Sequence, residues 1–339
     1  MASGGSSSYH ILPRLLGGLI VLALLICGGM MMWFNHEPVV KDPLAQRHDR
    51  GARGDAEVPA GYDTTAELIE SLSTMLNKRG GYISDARYPP RIFLDNIPSW
   101  EFGVLTSARE LTQALMNQFS RSSESEPPDP DLEEADKLLA YDHTRSQPPN
   151  AESQYRKAVA SLEAYQQRLL PGAQHPAHFF ATAENLDAWL AVLEKNLKTQ
   201  SQQLAVSGGQ LRVNAELAEA PGESHPHHSI TFAESSWGHF DNAFYVSRGM
   251  AWSSVLYLRV MERDFAQVLQ QHHAMEAYRL AIRQLEYALA PLEAPMLRNG
   301  PPFGLLANQP IMLANYLSLA RYAVKDLRAQ LQSQYQDGQ

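Results

Sequence analysis

The chain has 339 residues, 44% hydrophobic and 19% charged. That balance suits one large or two modest globular domains and excludes collagen, wholesale disorder and a disulfide scaffold. A net charge of -9 and a pI near 5.7 argue against nucleic-acid binding, which needs a basic face to displace counterions from phosphates.

After a short tail, residues 1–14, the stretch LLGGLIVLALLICGGMMMWF at 15–34 carries no charge. At about 1.5 Å per residue it matches the roughly 30 Å hydrocarbon core of a bilayer, so it is expected to be a single transmembrane helix with the lipid bilayer as its partner. Trp33 suits the membrane interface. A cleavable signal peptide wants a shorter apolar core and an A-x-A-like site, and none follows Phe34. A lipoprotein signal wants small residues before its cysteine, but Leu25 and Ile26 precede Cys27. Cys27 is the only cysteine, which closes cysteine nucleophiles, zinc thiolates and intrachain disulfides to the rest of the chain. The charges that set orientation conflict. Arg14 precedes the helix while Lys41, Arg47, Arg50 and Arg53 follow it, which read literally keeps the large domain cytoplasmic. A short N-terminus before one apolar helix is nevertheless the plan of a signal anchor, and a periplasmic domain is the expectation.

Residues 35–61, rich in Pro, Gly and charge, read as a flexible tether to a soluble domain at 62–339. Thr64 and Glu67 form a capping-box pair, Leu68, Ile69, Leu72 and Leu76 make a helical stripe, and Lys78-Arg79 precede a Gly80-Gly81 stop. After Pro89, Pro90 and Pro98, Ser99 can cap a second helix reaching Phe119, with the stripe Val104, Ala108, Leu111, Leu115, Phe119. The acidic SRSSESEPPDPDLEE lacks the glycine and the final acid of a calcium loop, so it reads as a solvated linker feeding a helix. Further helices are expected at 131–142, 151–170, 183–205, 240–270, 273–290 and 309–331. The sole period-two run is QLRVNAEL at 210–217, and the fold class is therefore all-α, a multi-helix bundle.

An internal echo supports two related halves, 62–205 and 236–335, as one reading. YRKAVASLE at 155–163 resembles YRLAIRQLE at 278–286, and each follows an Asp-Asn pair, Asp95-Asn96 or Asp241-Asn242. Generic amphipathic spacing produces the same pattern.

No HExxH, GxSxG, GxGxxG or GxxxxGK[ST] pattern occurs, and no cofactor is expected. The histidines of HPHH (225–228), HPAH (175–178) and His272-His273 lack the i, i+4 spacing of a helical metal site, and no metal is expected. NGPPFGLLANQP at 299–310 reads as a tight apolar loop ending with Asn308 as a helix cap, with a pocket wall as the alternative.

The sharper signal is charge on apolar faces. In WGHFDNAFYVSRGMAW, with Asp241 taken as a helix cap, Arg248 falls on the stripe Phe244, Ala251, Val255, Leu258, about 10 Å from Asp241 and in need of another anion. In LDNIPSWEFGVL, Glu101 beside Trp100 sits on the stripe of Val104 and Ala108. A buried unpaired charge costs several kcal/mol, whereas a bidentate Arg–carboxylate pair is tolerated. Glu101 is expected to pair with Arg248 between the halves, with Asp95, Asp241 and Asn242 capping helices or extending the network. A purely structural role for these residues competes with ligand binding.

The phrases LNKRGGYISD (76–85), LDNIPSWEFGVL (94–105), FSRSSESEPPDPDLEEA (119–135), Trp237 to Trp252 and LRNGPPFGLLANQPIMLANYLSLA (297–320) resemble a proteobacterial membrane-protein family called domain of unknown function 2333. The resemblance implies a single-pass protein of the Gram-negative inner membrane and supplies no reaction, ligand or catalytic residue. The expectation is a non-enzymatic envelope scaffold or accessory factor with a protein partner. The alternative is an enzyme or ligand-binding domain with a polar pocket around Glu101 and Arg248.

Overall fold

The computed structural model describes residues 11–43, 58–123, 125–207, 237–290 and 309–333. Among the described residues the fold is all-helical. In chain order the helices are α1 (Ile11–Phe34), α2 (Tyr62–Asn77), α3 (Asn96–Ala114, continued by a π turn Leu115–Phe119), α4 (Pro130–Leu139) and α5 (Ala151–Arg168). They are followed by α6 (Ala183–Ser207), α7 (Trp237–Asp264), α8 (Ala266–Gln271), α9 (Met275–Ala288) and α10 (Gln309–Ser333). The strand-like run at 210–217, the HPHH segment, residues 44–57 and Asn308 with most of its loop lie outside the described residues.

Three starts differ from the spacing argument. α2 begins at Tyr62, so Thr64 does not cap it; its hydroxyl instead donates to Asp264 at 2.6 Å. α3 begins at Asn96, because Pro98 in the first turn surrenders an N–H that has no intrahelical acceptor anyway. α7 begins at Trp237, which puts Asp241 in the second turn and removes it as a cap.

α1 stands apart: its Leu15–Phe34 stretch is long and apolar enough to be a membrane span or a signal sequence, and none of it is buried in the protein. The other helices share one core, which runs from Leu68 to Leu331. Its centre is α3 against α7, with α4 and α5 packed on the α2 side and α6, α9 and α10 on the α7 side. The stripes are where periodicity puts them: Val104, Ala108, Leu111, Leu115 and Phe119 are sealed, as are Phe244, Ala251, Val255 and Leu258. α2 lies antiparallel to α7, since Asp63 bonds Arg263 and Ser71 bonds Tyr257.

Two glycines bring α3 and α7 into backbone contact. A Cβ on Gly103 would strike the Val246 carbonyl oxygen and lie 2.9 Å from the Met250 nitrogen. A Cβ on Gly249 would strike the Trp100 carbonyl oxygen and lie 3.1 Å from the Val104 nitrogen. The contact is reciprocal, because the sequence offset that carries Gly103 onto Gly249 also carries Trp100 onto Val246 and Val104 onto Met250. Only residues without a Cβ permit this approach.

The expected loose tether is fixed over its first part. Residues 35–43 lie along α7: Glu37 bonds Arg248, Arg259 donates to the Lys41 carbonyl at 3.2 Å, Val40 packs on the core and Pro43 is buried.

Candidate functional site

Glu101 is fully buried and saturated. One carboxylate oxygen accepts from the Ile83 amide at 2.8 Å and from Lys78 Nζ; the other accepts from the Ser84 amide at 2.8 Å and from the Ser84 hydroxyl. Lys78 completes its valence on the carbonyls of Met75, 3.2 Å away, and Gly81, 2.7 Å away. Burial pulls the Lys78 ammonium below its ordinary pKa, opposed by the Glu101 charge. The pair therefore staples the loop after α2 onto α3. The neighbouring Asp85, also buried, accepts from Asn150 Nδ2 at 2.7 Å and from the Glu152 amide at 3.3 Å, so it caps α5 from outside.

The expected Glu101–Arg248 pair is not formed. The two side chains leave the α3–α7 crossing toward different neighbours, Glu101 toward the 78–84 loop and Arg248 toward the end of α9. Arg248 is 7% exposed, as its place on an apolar stripe requires, and its acid is Glu37. Nε and Nη2 hold both carboxylate oxygens at 2.8 to 2.9 Å, and Nη1 donates to the carbonyls of Ala288 at 3.4 Å and Ala290 at 3.2 Å. These carbonyls belong to the α9 C-terminus, the negative end of its dipole. Burial raises the Glu37 pKa, and the Arg248 charge and hydrogen bonds pull against that rise.

Glu37 lies three residues beyond α1, so the clasp joins the apolar helix to the bundle. Two further contacts fasten the same joint. The Arg79 guanidinium sits 4.4 Å from the centre of the Trp33 ring, and Phe34 packs on Gly80, where a Cβ would come within 2.9 Å of the ring. Gly80 has φ of 86°, so both its backbone and its neighbour select glycine.

The remaining expected residues are placed separately. Trp100 is fully buried and meets Trp252 edge-on at 5.2 Å between ring centres, as core rather than as part of a polar network. Asp95 stands at the N-cap position of α3, exposed and without a side-chain cap bond. Its charge adds to burial in pushing Asp241 up to about 6, with burial the larger cause. Neither acid joins the Glu101 or Arg248 clusters. Asn242 is exposed and helps line a cavity of about 270 Å³ with Ser84, Ser99, Phe102, His143 and Val246. Burial lowers the His143 pKa there.

A larger cavity, about 360 Å³, lies between the 36–41 segment and α2 and α7. Glu37 and Lys78 stand in its wall, one from each buried pair, with Val39, Trp252 and Leu256 supplying apolar surface. Among the described residues no group of three or more His, Cys, Asp or Glu is placed to hold a metal.

A family model described as an uncharacterised protein conserved in bacteria, domain of unknown function 2333, matches residues 8–334. The chain belongs to that family. No curated protein and no solved structure matches it. For this family member, then, the site is defined by its own geometry. Spacing missed both partners, Lys78 for Glu101 and Glu37 for Arg248. Glu37 is the first acid in the sequence and directly precedes the apolar Pro38-Val39-Val40, which marks it as chain that packs on a core.

Proposed function

We propose that this protein is a non-enzymatic scaffold of the bacterial inner membrane, anchored by α1 as an uncleaved single-pass helix. It holds its helical bundle in a fixed pose against the periplasmic face and presents it to an envelope protein. The fit of the last turn of α1 to the bundle, Trp33 on Arg79 and Phe34 on Gly80, carries this reading, because a signal sequence destined for removal has no need of such contacts. The Glu37–Arg248 clasp extends the joint just beyond it. Both charged pairs satisfy their hydrogen bonds inside the protein, as structural groups do.

The test uses the native Cys27 as one spin-label site and Gln174→Cys, at the far end of the bundle, as the other. In lipid vesicles the intact protein should give one narrow distance distribution, and Glu37→Gln or Arg248→Met should broaden it. A distribution equally broad in all three would overturn the fixed pose. A C-terminal reporter active only in the periplasm checks the orientation.

The larger cavity favours a second reading, a small-molecule site with both charge signs and an indole in its wall. Native mass spectrometry of the detergent-solubilised chain should then show a bound species that Leu256→Trp, which fills the space, expels. Absence of any bound species removes this reading.

A further inference from the structure

Between Ser84 and Asn96 the chain is held firmly yet faces outward. Ser84 is tied to Glu101, Asp85 to α5, Arg87 to the Ser146 carbonyl and Arg91 to the Tyr82 carbonyl. On this pinned frame Tyr88 is 75% exposed, Ile92 52% and Phe93 63%. Single exposed apolar residues are ordinary, but three large ones within six positions on a constrained loop form a surface that needs a cover.

Position identifies the cover. The one-turn helix Arg91–Phe93 packs beside α1, and α1 carries its own row of exposed apolar side chains, Leu15, Leu19, Leu22 and Ile26 among them. The α1 end nearest the bundle is the Trp33–Phe34 end, fixed by Arg79 and Gly80. Whatever apolar phase covers α1 must therefore reach the neighbouring loop at about the depth of Trp33, where amphipathic rings such as Tyr88 are favoured. Arg79, which lies over Trp33, and Arg87 in the loop itself are both exposed, and juxtamembrane cations are drawn to anionic headgroups.

We propose that the 87–93 loop is a second membrane contact, seating Tyr88, Ile92 and Phe93 in the headgroup and upper acyl region of the bilayer that α1 crosses. This rests on the anchoring proposed above. It makes the attachment two-pointed: α1 supplies the hold, and the loop fixes the tilt and rotation of the bundle.

The test takes the full chain with Cys27→Ser, reconstituted in vesicles of phosphatidylethanolamine and phosphatidylglycerol. An environment-sensitive fluorophore is placed at Ile92→Cys, Phe93→Cys, Leu22→Cys or Gln174→Cys, each in turn. Leu22 reports on α1. Gln174 follows α5, whose Gln166 bonds the Tyr62 carbonyl at the α2 end opposite Lys78, about 24 Å away along a 16-residue helix. Nitroxides carried near the lipid headgroup should remove most of the emission at 92 and 93 and none at 174, and nitroxides deep in the acyl chain should quench 22. If 22 is quenched while 92 and 93 behave like 174, the loop faces water or a protein partner and the proposal falls while the anchor stands. If 22 is unquenched as well, α1 does not cross the bilayer, and the anchoring and the loop contact fall together.

Discussion

The α3–α7 crossing gives a prediction whose sign is informative. At an ordinary helical site, Gly→Ala stabilises by about 0.5 to 1 kcal/mol, because alanine forfeits less backbone entropy. At Gly249 the new methyl meets the Trp100 carbonyl, which is backbone and cannot swing aside. The helices must separate by on the order of 1 Å, and a gap of that size forfeits a quarter to a half of each dispersion contact. Trp100, Val104, Phe244 and Trp252 are sealed in or near this interface. Taking about 60 atom pairs at ~0.15 kcal/mol each, losing a third costs about 3 kcal/mol. After the propensity gain, Gly249→Ala should destabilise by roughly 2 kcal/mol. Gly103→Ala should cost a similar amount. Because one separation accommodates both methyls, the double variant should cost clearly less than the sum of the singles. Urea denaturation of the full chain in detergent, followed by helical circular dichroism, reads the midpoint shift. A Gly249→Ala variant as stable as the parent or more so, or strict additivity in the double, would refute the close approach.

Glu101→Gln leaves the Lys78 ammonium buried without its counter-charge and should cost about 3 to 5 kcal/mol in the same assay; adding Lys78→Met should recover part of that loss. An unchanged midpoint for Glu101→Gln would mean that the pair is hydrated. Asp264, beside Thr64 at the start of α2, is pushed up to about 6 from 3.8, chiefly by burial. The folded state therefore holds that proton more tightly than the unfolded state, so stability falls as pH rises from about 4 to about 6 and is flat above. Asp264→Asn should flatten that slope, by about 2 to 3 kcal/mol at most, and an unaltered pH profile would count against the assignment.

The helices were legible because their stripes are strictly periodic: α5, α6, α9 and α10 stand where apolar residues recur at three and four. Their first residues were less so. Thr64 and Ser99 are good capping residues, but Thr64 is claimed by Asp264, and the first turn of α3 extends back through Pro98 at no hydrogen-bond cost. The glycine crossing left a trace in G-x-x-x-S at 103–107 and again at 249–253, small residues one turn apart that mark a face of close approach. That face is read most readily in membrane helices, and here it lies inside the bundle.

Glu101 and Arg248 show why pairing is harder to read than burial. Periodicity says which face a residue occupies, and both charges are indeed inside, each with an opposite charge and saturated hydrogen bonds. Choosing the partner requires knowing which flank of that face each side chain leaves by, and a change of one neighbour alters the answer. Lys78 falls at the end of α2 and Glu37 in a stretch of tether-like composition, both positions where charge ordinarily faces water. In each case a segment that composition marks as loose is held down by a charge from a helix: Glu101 pins the 78–84 loop, and Arg248 pins the strap after α1. The first of these segments touches Trp33 and Phe34 and the second follows directly on them, so both ion pairs stand at the joint between α1 and the bundle. A pair placed only to stabilise the core would gain nothing from that location, since buried ion pairs are commonly matched or bettered by apolar residues of similar volume. A pair placed to fix one geometry of the joint has to be there.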